Sequence, residues 1–420
     1  MPPKHPPSEQ QPTPVDTSRA LADLDARLFD RPAQATLGGP ALVLRAISDI
    51  ASPDGYRLSI APDAITIGHR SFRGLLHARH FLQQLGNSAQ CIEIEDSPAI
   101  PVRGVMLDFQ PGCIPTMAHL HEIVPMLSAM GFNHLQLRTS HTFAYRPHAE
   151  SWRGLRALTH DEVRRLDTLC RAHGLDLVAS QQCLSNLRGF LQHEPLRELA
   201  ETDTKTEAGD SLCPTDDRAI EFVASLLREL LPCFTTPMVN VGCALPTDFG
   251  TGRSASAVAK RGPSRVYWSF VKRVMRHVRD EGVQPMLDAG MALEHRDGLS
   301  QIPQDATPIA WGAARSPWVK WCEALQGRGR AMWLGCDASA ENVAAVAQAA
   351  SEHKCEGVLI AVDPASLWPD VVRDLADAGK VLWNAGRAML DSSARRDATG
   401  QQPAAVALPL AARFRLGDPR

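Results

Sequence analysis

The chain of 420 residues carries 44 Lys and Arg against 47 Asp and Glu, a net charge of −3 that excludes broad electrostatic capture of nucleic acid or an anionic membrane. Hydrophobic residues make up 44% and charged residues 22%, the balance of a folded globular chain rather than a disordered one. The length exceeds one minimal domain and suits a large domain with a smaller companion.

The chain opens with "MPPKHPPSEQQPTPVD", which has no apolar segment of a secretory leader, and residues 1–37 are expected to form a disordered Pro-rich lead-in. No run of 18 apolar residues occurs, so no membrane partner is expected. The ten cysteines show no CxxC and no paired spacing, which points to reduced, mostly buried thiols and a cytoplasmic location.

Residues 38–97 read as a small α/β domain. The segments "ALVLRAISD", "GYRLSIAPDAITIGH" and "CIEIED" alternate apolar and polar residues as half-buried strands do. Between them, "SFRGLLHARHFLQQLG" sets Leu75, Leu76, Ala78, Phe81, Leu82 and Leu85 on one helical side. "SPAIP" then serves as a stiff connector.

Over 98–390 the pattern becomes strand then helix, repeated. Short apolar runs at 103–109, 134–138, 175–180, 238–243, 284–289, 308–312, 330–335 and 357–362 predict strands. Helical stretches are predicted at 117–130, 160–173, 215–231, 264–281, 314–327, 339–352 and 366–379. Eight buried strands alternating with helices fit a (β/α)8 TIM barrel, so the fold class is α/β with a small α/β domain preceding the barrel. A doubly wound open sheet is the alternative, but "DFQPGCIPT" after the first strand lacks its glycine-rich phosphate loop, which favours the barrel; no cofactor is expected. Residues 391–420 are expected to be a loose tail.

In such a barrel the working groups lie at the C-terminal ends of strands. Those ends carry Asp108, Arg138 to His141, Ser180 to Gln182, Cys243 to Leu245, Asp288, Trp311, Cys336 with Asp337, and Asp363. The rim is polar but thinly charged. It shows no metal-binding His pattern and no G-x-S-x-G nucleophile elbow, so no metal is expected.

The stretches "GYRLSIAPDAITI", "LLHARHFLQQL", "IPVRGVMLDF", "SLCPTDDRAIEFVASLLRELLPCF" and "VNVGC" resemble glycoside hydrolase family 20, the β-N-acetylhexosaminidases. "LQLRTSHTFAYRPHAESWRGLRALTHDEVRRLD" and "GTGRSA" resemble a bacterial branch of it. The resemblance covers roughly 40–370 and implies the same two-domain architecture.

It also implies substrate-assisted chemistry. An Asp orients the 2-acetamido group of the sugar and the next Glu protonates the leaving oxygen, directly after a Gly-Gly or Gly-Cys pair. Here Gly242-Cys243 is followed by Ala244-Leu245, so both groups are replaced. The family's acidic residue after the second strand falls at Ser140, and the His of its Pro-Gly-His turn falls at Asn186. Arg103, which in the family grips sugar hydroxyls, is retained together with Asp108 and the pocket-wall Trp311.

For the residues themselves two roles stand side by side. Asp288 and Asp248 are either relocated acids or loop carboxylates. His141 and Tyr145 line the pocket or brace their loop, and Cys243 is a passive thiol. Arg103 holds sugar hydroxyls or pins the lower rim, and Trp311 stacks on a sugar or packs. The expected function is an inactive or strongly impaired hexosaminidase-like protein that keeps a pocket for an amino-sugar or oligosaccharide ligand, or serves a protein partner. The alternatives are a glycosidase with relocated carboxylates and a scaffold whose pocket has closed.

Overall fold

The computed structural model describes residues 14–29, 39–203, 209–294, 298–314, 318–326, 331–363 and 368–385. The expected tail at 391–420 lies outside the described residues. The chain divides into two compact units, with the boundary between Pro98 and Ala99.

In the first unit, α1 (Ser18–Phe29) falls inside the expected lead-in and corrects it. Ala20 and Leu24 are buried on one side of this helix, and Val15 pairs with Ala89 in a short antiparallel ladder. The Pro-rich composition of the first 16 residues masked a short amphipathic segment. The sheet is built from β1 (Ala41–Ala46), β2 (Tyr56–Ile60), β3 (Ala64–His69) and β4 (Ile92–Asp96), in the order β1-β3-β2-β4. The helix α2 (Phe72–Leu85) starts where the Ser71 hydroxyl accepts from the amides of Arg73 and Gly74. It buries Leu75, Leu76, Ala78 and Leu82 as predicted, with His77 and His80 beside them.

The second unit is a closed parallel barrel of eight strands in sequential order. These are β5 (Val102–Asp108), β6 (His134–Arg138), β7 (Asp176–Ser180), β8 (Met238–Asn240), β9 (Gln284–Asp288), β10 (Thr307–Trp311), β11 (Trp333–Asp337) and β12 (Gly357–Val362). Pairing of β12 with β5 closes the ring. Predicted and observed strands agree within a residue except at two places. β8 ends at Asn240 because Gly242 and Cys243 take φ of 61° and 60°, outside extended geometry. β11 begins at Trp333 and runs on to Asp337, later than the predicted run.

Between the strands lie α3 (Met117–Ala129), α4 (His160–Ala172), α5 (Asp217–Leu230), α6 (Pro263–Asp280), α7 (Trp318–Gln326) and α8 (Ala340–Glu352), and α9 (Trp368–Trp383) follows the last strand. Each predicted helical stretch overlaps one of these, with α6 starting one residue earlier and α9 running four residues further than predicted. In α6, Val266, Phe270, Val271, Val274, Met275 and Val278 recur at helical spacing and are buried. Each such burial stabilises the fold by about 1.5–3 kcal/mol.

Side-chain alternation sorts the strand residues into two sets. Val105, Leu107, Leu135, Leu137, Leu177, Val239, Leu287, Leu334, Val358 and Ile360 join the main core, on the helix side of the sheet. Met106, Met286, Ile309, Trp333 and Leu359 form a separate cluster that fills the barrel. Glycine makes room for the indoles: a Cβ at Gly335 would lie 2.5 Å from the Trp311 ring, and one at Gly357 would lie 2.6 Å from the Trp333 ring.

Candidate active site at the barrel mouth

The strand residues that alternate with the core set point into the barrel, and their C-terminal members meet at a cavity of about 250 Å³. Arg138, Asn240, Asp288, Trp311, Met106 and Ala361 come from strands, while Gln182, Asn186, Gly242 and Ala244 come from the turns beyond them.

A chain of amides fixes the turn after β8. Asn240 Oδ1 accepts from the Gly242 amide at 2.9 Å, and its Nδ2 donates to Gln136 Oε1 at 2.9 Å. Gln136 Nε2 in turn lies 3.2 Å from His134 Nε2, deeper in the barrel. Gly242 is required on steric as well as torsional grounds: a Cβ there would lie 2.1 Å from Gln182 Oε1. Cys243 then tucks its thiol into the core, where burial pushes it well above the ordinary thiol range. Its carbonyl accepts from the Tyr267 hydroxyl at 2.6 Å. Burial in this direction disfavours the thiolate that a nucleophile needs.

Ala244 follows and lines the cavity with a methyl group. Leu245 is 38% exposed and contributes nothing to the cavity wall. Asp288 is the one carboxylate among the lining residues. Burial raises its pKa above the ordinary 3.8, partly offset by a 2.7 Å hydrogen bond that Oδ1 accepts from the Gly290 amide; Glu294 adds a smaller upward push. Gln182 is 8% exposed, and its Oε1 has no hydrogen-bond partner among the described residues. The Arg138 guanidinium is ion-paired with the nearly buried Asp108 carboxylate, which also accepts from Gln110 Nε2 at 2.9 Å. Trp311 supplies a half-buried apolar wall.

Of the residues singled out from the sequence, Ala244, Asp288 and Trp311 therefore meet at the mouth. Asp108 stands behind Arg138 and orients it. Five others, Arg103, Tyr145, His141, Asp248 and Asp337, lie elsewhere. Arg103 shares the outward alternation of Val105 and Leu107 near the start of β5, and it is fully buried. Its Nε donates to Gly131 O at 2.6 Å, and its Nη1 donates to Ile100 O at 2.7 Å and Pro101 O at 2.9 Å. It pins the lower rim of the barrel and does not reach a sugar in the mouth, correcting the role that the resemblance implied.

Tyr145 is fully buried among Phe143 and Phe190, and its hydroxyl donates to Gln181 Oε1 at 2.6 Å. It braces the loop rather than lining the pocket. His141 packs edge-on to Phe190 at 6.0 Å outside the cavity wall, and burial, then His193, lower its pKa. Asp248 accepts from the Thr202 hydroxyl at 2.8 Å and the Ser211 hydroxyl at 2.6 Å, so it ties its loop to a neighbouring segment instead of facing the cavity. Asp337 likewise caps its own turn, accepting from the Ser339 amide at 2.9 Å.

Arg138 and Gln182 stand among the strand-end positions read from the sequence without a role assigned to them, and Asn240 was not among those positions. Two of them carried a usable signal: Asn240 and Arg138 share the inward alternation of their strands.

An eight-stranded parallel barrel preceded by a small α/β unit, with the cavity at the C-terminal ends of its strands, is the fold of the glycoside hydrolase family 20 β-N-acetylhexosaminidases. The chain superposes on the exo-β-N-acetylglucosaminidase of Vibrio harveyi with a TM-score of 0.68 at 14% identity, covering 86% of this chain and 67% of that one. It superposes on the β-hexosaminidase of Streptomyces plicatus with a TM-score of 0.66 at 18% identity, covering 89% and 88%. For the β-N-acetylhexosaminidase of Bacteroides fragilis the TM-score is 0.68 at 12% identity, covering 90% and 88%. In sequence it is similar to bovine hexosaminidase D, 23% identical over 219 residues, which is 50% of this chain and 62% of that protein. No protein-family model matches the chain. Among the described residues, no helix is long and apolar enough to cross a membrane.

Proposed function

We propose that this protein is a hexosaminidase-like sugar binder: it holds an N-acetylated amino sugar in the mouth of its barrel and turns it over poorly or not at all. One observation carries this reading. At the turn where the resemblance expects an orienting Asp and a proton-donating Glu, Ala244 lines the cavity and Leu245 follows outside it. Hydrolysis by this route needs one group to fix the acetamido nucleophile and one to protonate the leaving oxygen. A missing general acid alone costs about 10²–10⁴-fold, and the missing orienter a comparable factor.

Binding draws on what remains. Gln182 Oε1 is an acceptor in want of a donor, Arg138 offers N–H groups, and Trp311 offers a face for the apolar side of a sugar ring. The cavity of about 250 Å³ suits a single ring. The Vibrio harveyi enzyme has been crystallised with N-acetylglucosamine, and an aspartate-to-alanine mutant of the Streptomyces plicatus enzyme with its product bound. Loss of an aspartate on this fold is thus compatible with holding the sugar. A cytoplasmic location is part of the proposal and rests on ten cysteines without paired spacing.

The test pairs a chromogenic N-acetylglucosaminide with thermal shifts in N-acetylglucosamine. A saturable shift without turnover, moved to higher sugar concentration in Trp311→Ala and Gln182→Ala, is the expected result. Vigorous turnover by the unmodified chain would end this reading. A second reading is favoured by one fact: Asp288 is the one carboxylate lining the mouth, and burial raises its pKa above the ordinary carboxylate value, the direction a general acid needs. Turnover that disappears in Asp288→Asn would assign the acid role to that residue.

A further inference from the structure

We propose that Cys322 and Cys355 are a reversible modification site, two reduced thiols that hydrogen peroxide joins into a disulfide. Cys322 lies in α7 and Cys355 in the turn between α8 and β12. Their sulfurs stand 3.8 Å apart and share a hydrogen bond. All ten cysteines are free, and among the described residues no other two share a hydrogen bond.

Position, reactivity and access each bear on the pair. A disulfide needs its sulfurs about 2.0 Å apart, so these two must close by roughly 1.8 Å. They belong to separate elements, and α7 packs directly on α8. Side-chain rotation with a small shift of α7 can therefore bring the sulfurs together without unfolding either helix.

Reactivity differs between the two. The hydrogen bond from Cys355 lowers the pKa of Cys322, against the upward push of its burial. The same contact, together with burial, raises the pKa of Cys355. One sulfur is thus disposed to attack, and the other holds its proton beside it. Access comes through the turn. Cys355 is 3% exposed but stands between the exposed Lys354 and Glu356, and Lys354 takes a left-handed φ of 52°. Local opening of so short a turn admits a molecule little larger than water, and the Cys322 sulfur lies in contact with the residue that moves.

The chemistry closes on these two residues and the peroxide. The Cys322 thiolate attacks one peroxide oxygen; the O–O bond breaks, and the departing hydroxide takes up the thiol proton as water. Cys322 is left as a sulfenic acid. The Cys355 sulfur then attacks the Cys322 sulfur; the S–O bond breaks, and the oxygen leaves as a second water with the Cys355 proton. Two thiols give up two electrons and two protons to one peroxide. The bond closes a loop spanning 33 residues that contains β11 and α8. It also fastens α7, whose Trp318 indole donates to the Ala310 carbonyl at 3.3 Å, to the turn that leads into β12. The inference does not depend on the mouth binding sugar.

The experiment titrates the reduced full chain with hydrogen peroxide, below the level that oxidises its methionines, and maps its peptides by mass spectrometry without reductant. A parallel sample carries Cys91→Ser and Cys113→Ser, changes at two exposed positions that remove cross-linking between copies. The expected result is one linked species joining the peptides of Cys322 and Cys355, lighter by two hydrogen atoms and returned to thiols by dithiothreitol. The oxidised chain should melt about 3–8 °C above the reduced chain, a gain absent from Cys355→Ala. In Cys355→Ala the Cys322 sulfenic acid should persist long enough for dimedone to trap it. Should that variant fail to fold, the peptide map of the parent chain decides by itself. Recovery of Cys322 and Cys355 as free thiols while methionines oxidise, as sulfinic acids, or linked to other cysteines would overturn the proposal.

Discussion

Replacing Arg103 with alanine tests whether this arginine holds the barrel or the ligand. The substitution strips the donors from three buried carbonyls, those of Gly131, Ile100 and Pro101, and removes a guanidinium stacked 5.1 Å from the Trp383 ring. Hydrogen bonds from a charged donor contribute about 1.5–3 kcal/mol each, and an orphaned buried carbonyl costs about 1–3 kcal/mol. Relaxation and water entry recover part of that sum, so the expected loss is about 3–5 kcal/mol, the upper range for one substitution. For a unit of this size the melting temperature should fall by roughly 5–10 °C. Arg103→Lys keeps the charge but cannot serve three carbonyls with the same geometry, and should lose about half as much. Denaturant melts report the stability, and titration with N-acetylglucosamine at a temperature where each variant is folded reports the affinity. An unchanged midpoint, or a weakened sugar affinity with stability intact, would refute the structural role and return Arg103 to the site.

Trp311→Ala should weaken N-acetylglucosamine binding about fivefold to tenfold, since an aromatic contact is worth about 0.5–1.5 kcal/mol beyond buried area; calorimetry of wild type and variant measures it. Tyr145→Phe should cost about 1–2 kcal/mol by orphaning Gln181 Oε1, with sugar affinity unchanged, as paired denaturation and binding curves would show. Asp288 has a folded pKa above its unfolded 3.8, so the folded chain keeps a proton that the unfolded chain has released, and stability contributed by this group declines as pH rises from about 3.8 through the folded value. Asp288→Asn should therefore be more stable than the parent at neutral pH, with the gap closing in acid, which melts across a pH series will reveal.

The (β/α)8 class was legible because burial acts locally on every strand and helix. A continuous apolar run such as "GVLIAV" is best satisfied inside a sheet covered on both faces. That Ala244 and Leu245 carry no ionisable group was equally plain, and their place at the acid pair is what the family resemblance implies. The helix at Ser18–Phe29 was missed because a Pro-rich start dominated its neighbourhood, while its burial rests on only Ala20 and Leu24.

What the sequence by itself determined was the order of elements, which is written in neighbouring residues. The tertiary structure decided which polar groups share the mouth. Arg103 and Met106 belong to one strand, yet alternation sends the first outward to three carbonyls at the lower rim and the second into the barrel. Gln182, Asn240 and Asp288 lie far apart along the chain and become neighbours only when eight strands close into a ring. Strand pairing at that distance leaves no local periodicity, because it depends on the register between segments and not on the composition of any one of them.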